Sequence, residues 1–264
     1  MKDEDTRASV RRRYAEIARR GNTARSGCCG PAGPQHIMSD DYIGLQGYDP
    51  EADLGLGCGL PTEIARIRPG DVVIDLGSGA GNDCFVARSA TGPTGRVIGI
   101  DFTPEMIRRA GENALKLSYT NVEFRQGDIT DLPVPEATAD VVVSNCVLNL
   151  EPDKNRVFEE IYRVLKPGGH FSISDIVLTG ALPEALRNAA EAFAGCVAGA
   201  ILKDAYLELA GNNGFTEVAV RKEKVIPVPD KVLAEHLDER QIRDYRTGAS
   251  SICSITVFAR KPLH

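Results

Sequence analysis

The chain has 264 residues, 42% of them hydrophobic, and a formal net charge of −6. That is enough apolar side chain for one large domain, alone or with a small appendage, and it leaves no basic surplus for binding a phosphate backbone. No apolar run approaches the roughly 18 residues of a membrane span, and the acids Asp3, Glu4, Asp5 and Glu16 argue against a signal or transit peptide. A cytoplasmic monomer with mostly reduced cysteines is expected, with neither membrane nor nucleic acid as partner.

Residues 5–20 predict a basic helix with Val10, Tyr14 and Ile17 on one face, lying on the core. A stretch rich in Gly, Pro, Asp and Ser then reads as loop to about Pro61. From there βα alternation begins. Strands are expected near 71–76, 96–101, 121–125, 140–145 and 169–175, with helices near 82–90, 104–117 and 154–165. Pro104 after Thr103 marks a helix start, and Pro167-Gly168-Gly169 marks a stop. Helices near 183–196 and 203–212 and strands near 215–226 and 251–260 follow. This order predicts an α/β fold with a doubly wound, mostly parallel sheet and an irregular C-terminal lobe. The expected division is an N-terminal helix and loop extension over 1–61, a nucleoside-binding domain over 62–176, and a lobe and tail over 177–264 that includes the last strands.

The stretch from Val72 to Asp101 carries the strongest signal. An apolar run ends in Asp75, and Gly77, Gly79 and Gly81 follow at alternate positions. Glycines between a strand and a helix let the backbone approach a ligand closely. Asp101 closes the next strand, where an acid accepts hydrogen bonds from ribose hydroxyls. A dinucleotide fold calls for GxGxxG, but Asn82 occupies the position of its third glycine. Asp75 would repel a pyrophosphate and attract the amino group of an amino-acid tail. The pattern therefore suits S-adenosylmethionine, which has no phosphate and carries a sulfonium cation.

Ligands of such a sheet sit beyond the carboxyl ends of the strands. Asp128 and Ile129 follow the third strand, placed for an adenine amino group and ring, and Phe102 is a candidate for the ring's other face. For Ile129 and Phe102, plain core packing is an equal reading. Asn145 and Cys146 end the fourth strand, beside the expected methyl group.

Seven cysteines are present, Cys28, Cys29, Cys58, Cys84, Cys146, Cys196 and Cys253, with no CxxC and no zinc spacing. Cys84 and Cys253 suit the role of small buried hydrophobes. Cys58 lies in LGLGCGLP, flanked by glycines, and Cys196 in AGCVAGA, where small neighbours permit close approach. Adjacent Cys28 and Cys29 lie in the polar stretch SGCCGPAG.

These segments, with DLGSGAGNDCF, GIDFTPEMI, NVEFRQGDITDLP, SNCVLNL and DKNRVFEEIYRVLKPGG, make the chain resemble the arsenite S-adenosylmethionine methyltransferase family from about Cys28 to Ile226. The glycine turn and LKPGG are shared by many methyltransferases; the cysteine-bearing segments are specific. Leu60 stands where the family tends to have Asn, Phe102 where it tends to have Met, and the link between Tyr48 and Gly55 is short. The resemblance implies a Rossmann-like methyltransferase sheet with an arsenic-binding C-terminal lobe. Its donor site would draw on Asp75, Gly77, Ser78, Gly79, Gly81, Asp101, Phe102, Met106, Gly127, Asp128, Ile129 and Asn145. It implies Cys58, Cys146 and Cys196 as the arsenic-handling thiols, with Cys28 or Cys29 pairing with Cys58 in a redox cycle. A cellular thiol reductant, of thioredoxin or glutathione type, would reset that cycle.

The chemistry is consistent with that expectation. Trivalent arsenic is soft, and thiolates suit soft centres. Its lone pair carries no proton, so attack on a sulfonium methyl requires no general base. His36, His170, His236 and His264 all lie outside the cysteine-bearing segments and the glycine turn. Two other functions compete: a methyltransferase for a small organic acceptor of quinone or sterol type, and a metalloid-binding protein that does not turn over. A nicotinamide dehydrogenase is disfavoured by Asn82.

Overall fold

The computed structural model describes residues 2–20, 40–182, 184, 186, 197, 199–248 and 250–264. A seven-stranded sheet runs in the order β3-β2-β1-β4-β5-β7-β6. Its strands are β1 (Val72–Leu76), β2 (Arg96–Asp101), β3 (Val122–Gln126), β4 (Ala139–Asn145), β5 (Leu165–Leu178), β6 (Thr216–Ile226) and β7 (Ile252–Arg260). Strands β1 to β5 pair in parallel, and β7 pairs antiparallel with both β5 and β6. Only β7 opposes the rest, so the expected mostly parallel sheet is what forms.

Alternation along the strands makes two packed layers, because successive side chains point to opposite faces. Val73, Val97, Val141 and Val143 pack with Cys84, Phe85 and Ala87 of α3 (Asn82–Thr91). Ile74, Leu76, Ile98, Ile100 and Val142 pack on the other face, with Val157, Phe158 and Ile161 of α5 (Lys154–Val164). Phe158 meets Phe171 and Tyr206 at ring-centroid distances of 5.8 and 5.7 Å. Full burial of such a side chain contributes about 1.5–3 kcal/mol. Tyr206 comes from α6 (Lys203–Asn212). The Asp153 carboxylate caps α5 by accepting from Arg156 N, and Pro104 sits in the first turn of α4 (Pro104–Lys116).

Several local expectations are corrected. The Pro167-Gly168-Gly169 segment does follow the end of a helix, but it already belongs to β5, which opens at Leu165 rather than near 169. A register break between Ala139 and Val141 accommodates it, Gly168 takes φ +81°, and Gly168 N donates to Lys261 O. The stretch before Pro61 holds hydrogen-bonded turns from Tyr42 to Asp53, leading to the short helix α2 (Pro61–Ile64). Between β6 and β7 lie α7 (Asp230–His236) and α8 (Glu239–Thr247), the latter closed by a reciprocal cap between Asp238 and Gln241. Most of the helix expected near 183–196 lies outside the described residues. The N-terminal helix α1 (Lys2–Arg20) lies on Leu54, Ala80 and Met106. Among the described residues no helix is long and apolar enough to cross a membrane.

Candidate active site

The strand order reverses at β1, which pairs with β2 on one side and β4 on the other. Such a switch point leaves a crevice beyond the carboxyl ends of the strands. Here it holds a cavity of about 740 Å³, within the range of small-molecule sites. Backbone conformation shapes its floor: Gly77, Gly79 and Gly81 have φ of +69°, +52° and +100°. A Cβ on Gly77 would lie 2.3 Å from Val147, so that glycine is required twice over.

Asp75, Gly77, Ser78, Gly79, Asp101, Phe102, Asp128, Ile129, Asn145 and Cys146 line the cavity. Gly81, Met106 and Gly127 do not. Gly81 caps α3, Met106 is buried beneath α1, and Gly127 N is bonded to Asp101 O. Asp101 braces the turn as well as facing the cavity: its Oδ2 accepts from Gly79 N at 3.0 Å and its Oδ1 from Thr103 N at 2.8 Å. Asp128 Oδ1 accepts from the N–H and hydroxyl of Thr130.

Three buried carboxyls sit around this turn. Burial raises the proton affinity of Asp75, and Asp83 and Asp101 add to the effect; the Cys84 thiol, donating at 3.2 Å, opposes it. Burial likewise pushes Asp83 up to about 6, against hydrogen bonds from Tyr42 and Asn145. Asp101 is raised by burial against its two backbone donors. Asp83 Oδ1, Ser78 Oγ and Asn82 Oδ1 are buried without a hydrogen-bond partner. Polar atoms left in that condition at a cavity wall are suited to a cationic, hydrogen-bonding ligand.

Cys146, which lines the cavity, converges with Cys58 beside it. Cys58 is held in its loop on both sides: its N–H donates to Asn145 Oδ1 at 2.9 Å, and its carbonyl accepts from Ser254 Oγ at 2.5 Å. Asn145 Nδ2 also reaches Gly59 O and the Tyr42 hydroxyl, at 2.8 and 2.6 Å, and Tyr42 donates to Asp83 Oδ2 at 2.8 Å. A Cβ on Gly59 would fall 2.6 Å from Ser174 Oγ. Cys146 adopts φ +61°, rare for a residue other than glycine, and its N–H is fixed to Ser174 O at 2.8 Å. The two thiols and the Asp175 carboxylate lie within 4.8 Å of one another, all buried. Burial pushes Asp175 up to about 7, opposed by the N–H of Ile176, the Lys154 ammonium and the Tyr206 hydroxyl.

Cys28, Cys29 and Cys196 lie outside the described residues. Cys84 and Cys253 are buried in the core; beyond the hydrophobic role expected of it, Cys84 hydrogen-bonds Asp75. Tyr42, Asp83, Asp175, Tyr206 and Ser254 were not expected in the site. Asp175 had a usable signal, an acid set in the middle of the apolar run FSISDIVL. The helix α1 was read only as a cover for the core, yet Val10, Arg11, Tyr14 and Ala15 wall the cavity.

Residues 67–214 match the family described as a methyltransferase domain. The chain is 42% identical to an arsenite methyltransferase of Halobacterium salinarum, across 98% of this chain and 67% of that protein. It is 30% identical to a human arsenite methyltransferase, across 97% of this chain and 72% of that protein. Among solved structures it resembles an arsenic(III) S-adenosylmethionine methyltransferase from Chlamydomonas reinhardtii, with a TM-score of 0.67 and 32% identity over 88% of this chain and 75% of that one. Matches of this identity, spanning nearly the whole chain and two thirds or more of the relatives, show that the chain belongs to the arsenite methyltransferase family.

Proposed function

We infer that this chain transfers the methyl group of S-adenosylmethionine to trivalent arsenic held on cysteine thiolates. The observation that carries this reading is the convergence of the Cys58 and Cys146 thiols at the edge of a cavity lined by buried carboxyls. The donor supplies a sulfonium methyl. The cavity suits it: Asp83 and Asp75 face a cationic methionine tail, the glycine turn offers backbone, and Asp101, Phe102, Asp128 and Ile129 take the adenosine end.

Arsenite exchanges hydroxyls for thiols: each As–S bond formed breaks one As–O bond, and the thiol proton leaves with that oxygen as water. The braced Cys58 loop and the constrained Cys146 backbone hold arsenic in one place, with its lone pair toward the methyl. Positioning of this kind supplies up to about 7–11 kcal/mol. Cys196 serves as a third thiol, and Cys28 or Cys29 pairs with Cys58. Methylation formally oxidises arsenic by two electrons. Two thiols return them as a disulfide, which a thioredoxin- or glutathione-type reductant then reopens. In this scheme 1–61 carries the resolving cysteines, 62–176 the donor site and 177–264 the third thiol, and the enzyme works as a cytoplasmic monomer on arsenite and methylarsenite.

The test is arsenic speciation by chromatography and mass spectrometry, using purified chain, arsenite, S-adenosylmethionine and excess dithiol. Donor-dependent methylated arsenicals are expected. Cys146→Ser and Cys196→Ser should abolish all methylation, and Cys58→Ser should spare methylarsenite better than arsenite. Full activity of Cys146→Ser on arsenite would falsify the thiol assignment. Arsenic bound but never methylated would indicate a sequestering protein, and neither outcome would redirect attention to organic acceptors.

A further inference from the structure

Asp175 is buried to 1% exposure in the most apolar part of β5, and none of the chemistry above gives it a task. Burying a carboxyl is costly unless its oxygens find donors. One oxygen is provided for locally, since Oδ1 accepts the N–H of Ile176 at 3.0 Å. The other, Oδ2, receives the Tyr206 hydroxyl at 3.3 Å, a long bond for an O–H donor. The carboxylate also lies within 4.8 Å of both the Cys58 and Cys146 thiols, where arsenic would sit. A carboxylate has about four acceptor positions; the N–H of Asn149 is also close enough to favour the ionised form, and with these donors counted there is still room for another.

The substrate supplies such a donor at one stage only. When two thiols capture arsenite, two waters leave and arsenic keeps one hydroxyl. When two thiols capture methylarsenite, its third ligand is a methyl group with no proton to share. We propose that Asp175 accepts a hydrogen bond from the hydroxyl that arsenic retains after Cys58 and Cys146 have captured it, making Asp175 a substrate-binding residue for the first methylation and not for the second. This inference rests on the arsenic reading above. The Tyr206 hydroxyl, donating to Oδ2, fixes the rotation of the carboxylate. The same hydroxyl is the ligand that a third thiol displaces, so Asp175 holds arsenic until that exchange.

The test compares Asp175→Ala and Asp175→Asn with the unmodified full chain, measuring kcat/KM separately on arsenite and on methylarsenite at saturating donor. At pH 8, where the Asp175 carboxyl is ionised, loss of a hydrogen bond to a charged acceptor predicts a fall on arsenite of roughly ten- to a hundredfold for Asp175→Ala. The value on methylarsenite should stay within about twofold. Asp175→Asn keeps a neutral acceptor and should fall between. S-adenosylhomocysteine affinity serves as the fold control. If the alanine variant fails that control, the ratio of the two substrates in the asparagine variant decides. Equal losses on both arsenicals, or no loss on arsenite, overturn the inference. An unmodified chain that methylates neither arsenical sinks the arsenic reading itself.

Discussion

Asp83 keeps one buried oxygen without a partner while the other is held by Tyr42 and Asn145. Its acidity is set by burial, with Asp53 raising its proton affinity further and the two hydrogen bonds lowering it, to about 6. Only the ionised form attracts an ammonium group. Affinity for S-adenosylhomocysteine should therefore be lost as pH falls from 7 through about 6 toward 5, a range in which the ligand's amino group stays protonated. In Asp83→Asn, affinity at pH 7 should drop roughly tenfold and the slope between pH 5 and 7 should flatten; calorimetric titration reads both. An unchanged slope would assign the ammonium to Asp75 instead. Asp75 and Asp101 were legible because each closes an apolar run beside glycine, a purely local pattern. Asp83 lacked such a frame, and Tyr42 acts on partners 41 and 103 residues away, which no spacing rule reaches.

At the scale of elements, periodicity identified most of the sheet because burial on both faces leaves near-continuous apolar runs. What it missed is instructive at β5. Proline and two glycines read as a boundary, and they are one for α5, but parallel pairing with β4 and the bond from Gly168 N to Lys261 O draw the same residues into a strand. Gly168 has φ +81°, and a Cβ there would come within 2.8 Å of Leu263. Gly168→Ala should lower stability by about 1–2 kcal/mol, measured as a shift in urea midpoint with unchanged slope. Donor affinity of the folded fraction should stay the same, since the site lies at the opposite end of the strands. The helix α8 could have been read from Asp238 and Gln241, three residues apart, but the lack of a buried apolar stripe obscured it.

For the whole molecule, the last strand is structurally central. β7 lies between β5 and β6, and every residue from Ile252 to Ala259 is buried. Truncation before Ile252 should abolish cooperative thermal unfolding rather than shave the tail, as scanning calorimetry would show. A narrower substitution, Ser254→Ala, should leave the melting transition within a few degrees while lowering arsenite turnover, because only the anchor on Cys58 O is removed. That anchor joins residues 196 apart in the chain. Among the described residues, every wall of the donor cavity lies at or before Glu151. During synthesis, a ribosome that has made about 250 residues has therefore made these pocket walls and the thiols Cys58 and Cys146, but not the hydroxyl that fixes Cys58. Competence toward arsenic becomes a late event in the life of each molecule, and a truncated chain is denied it however well its glycine turn is made.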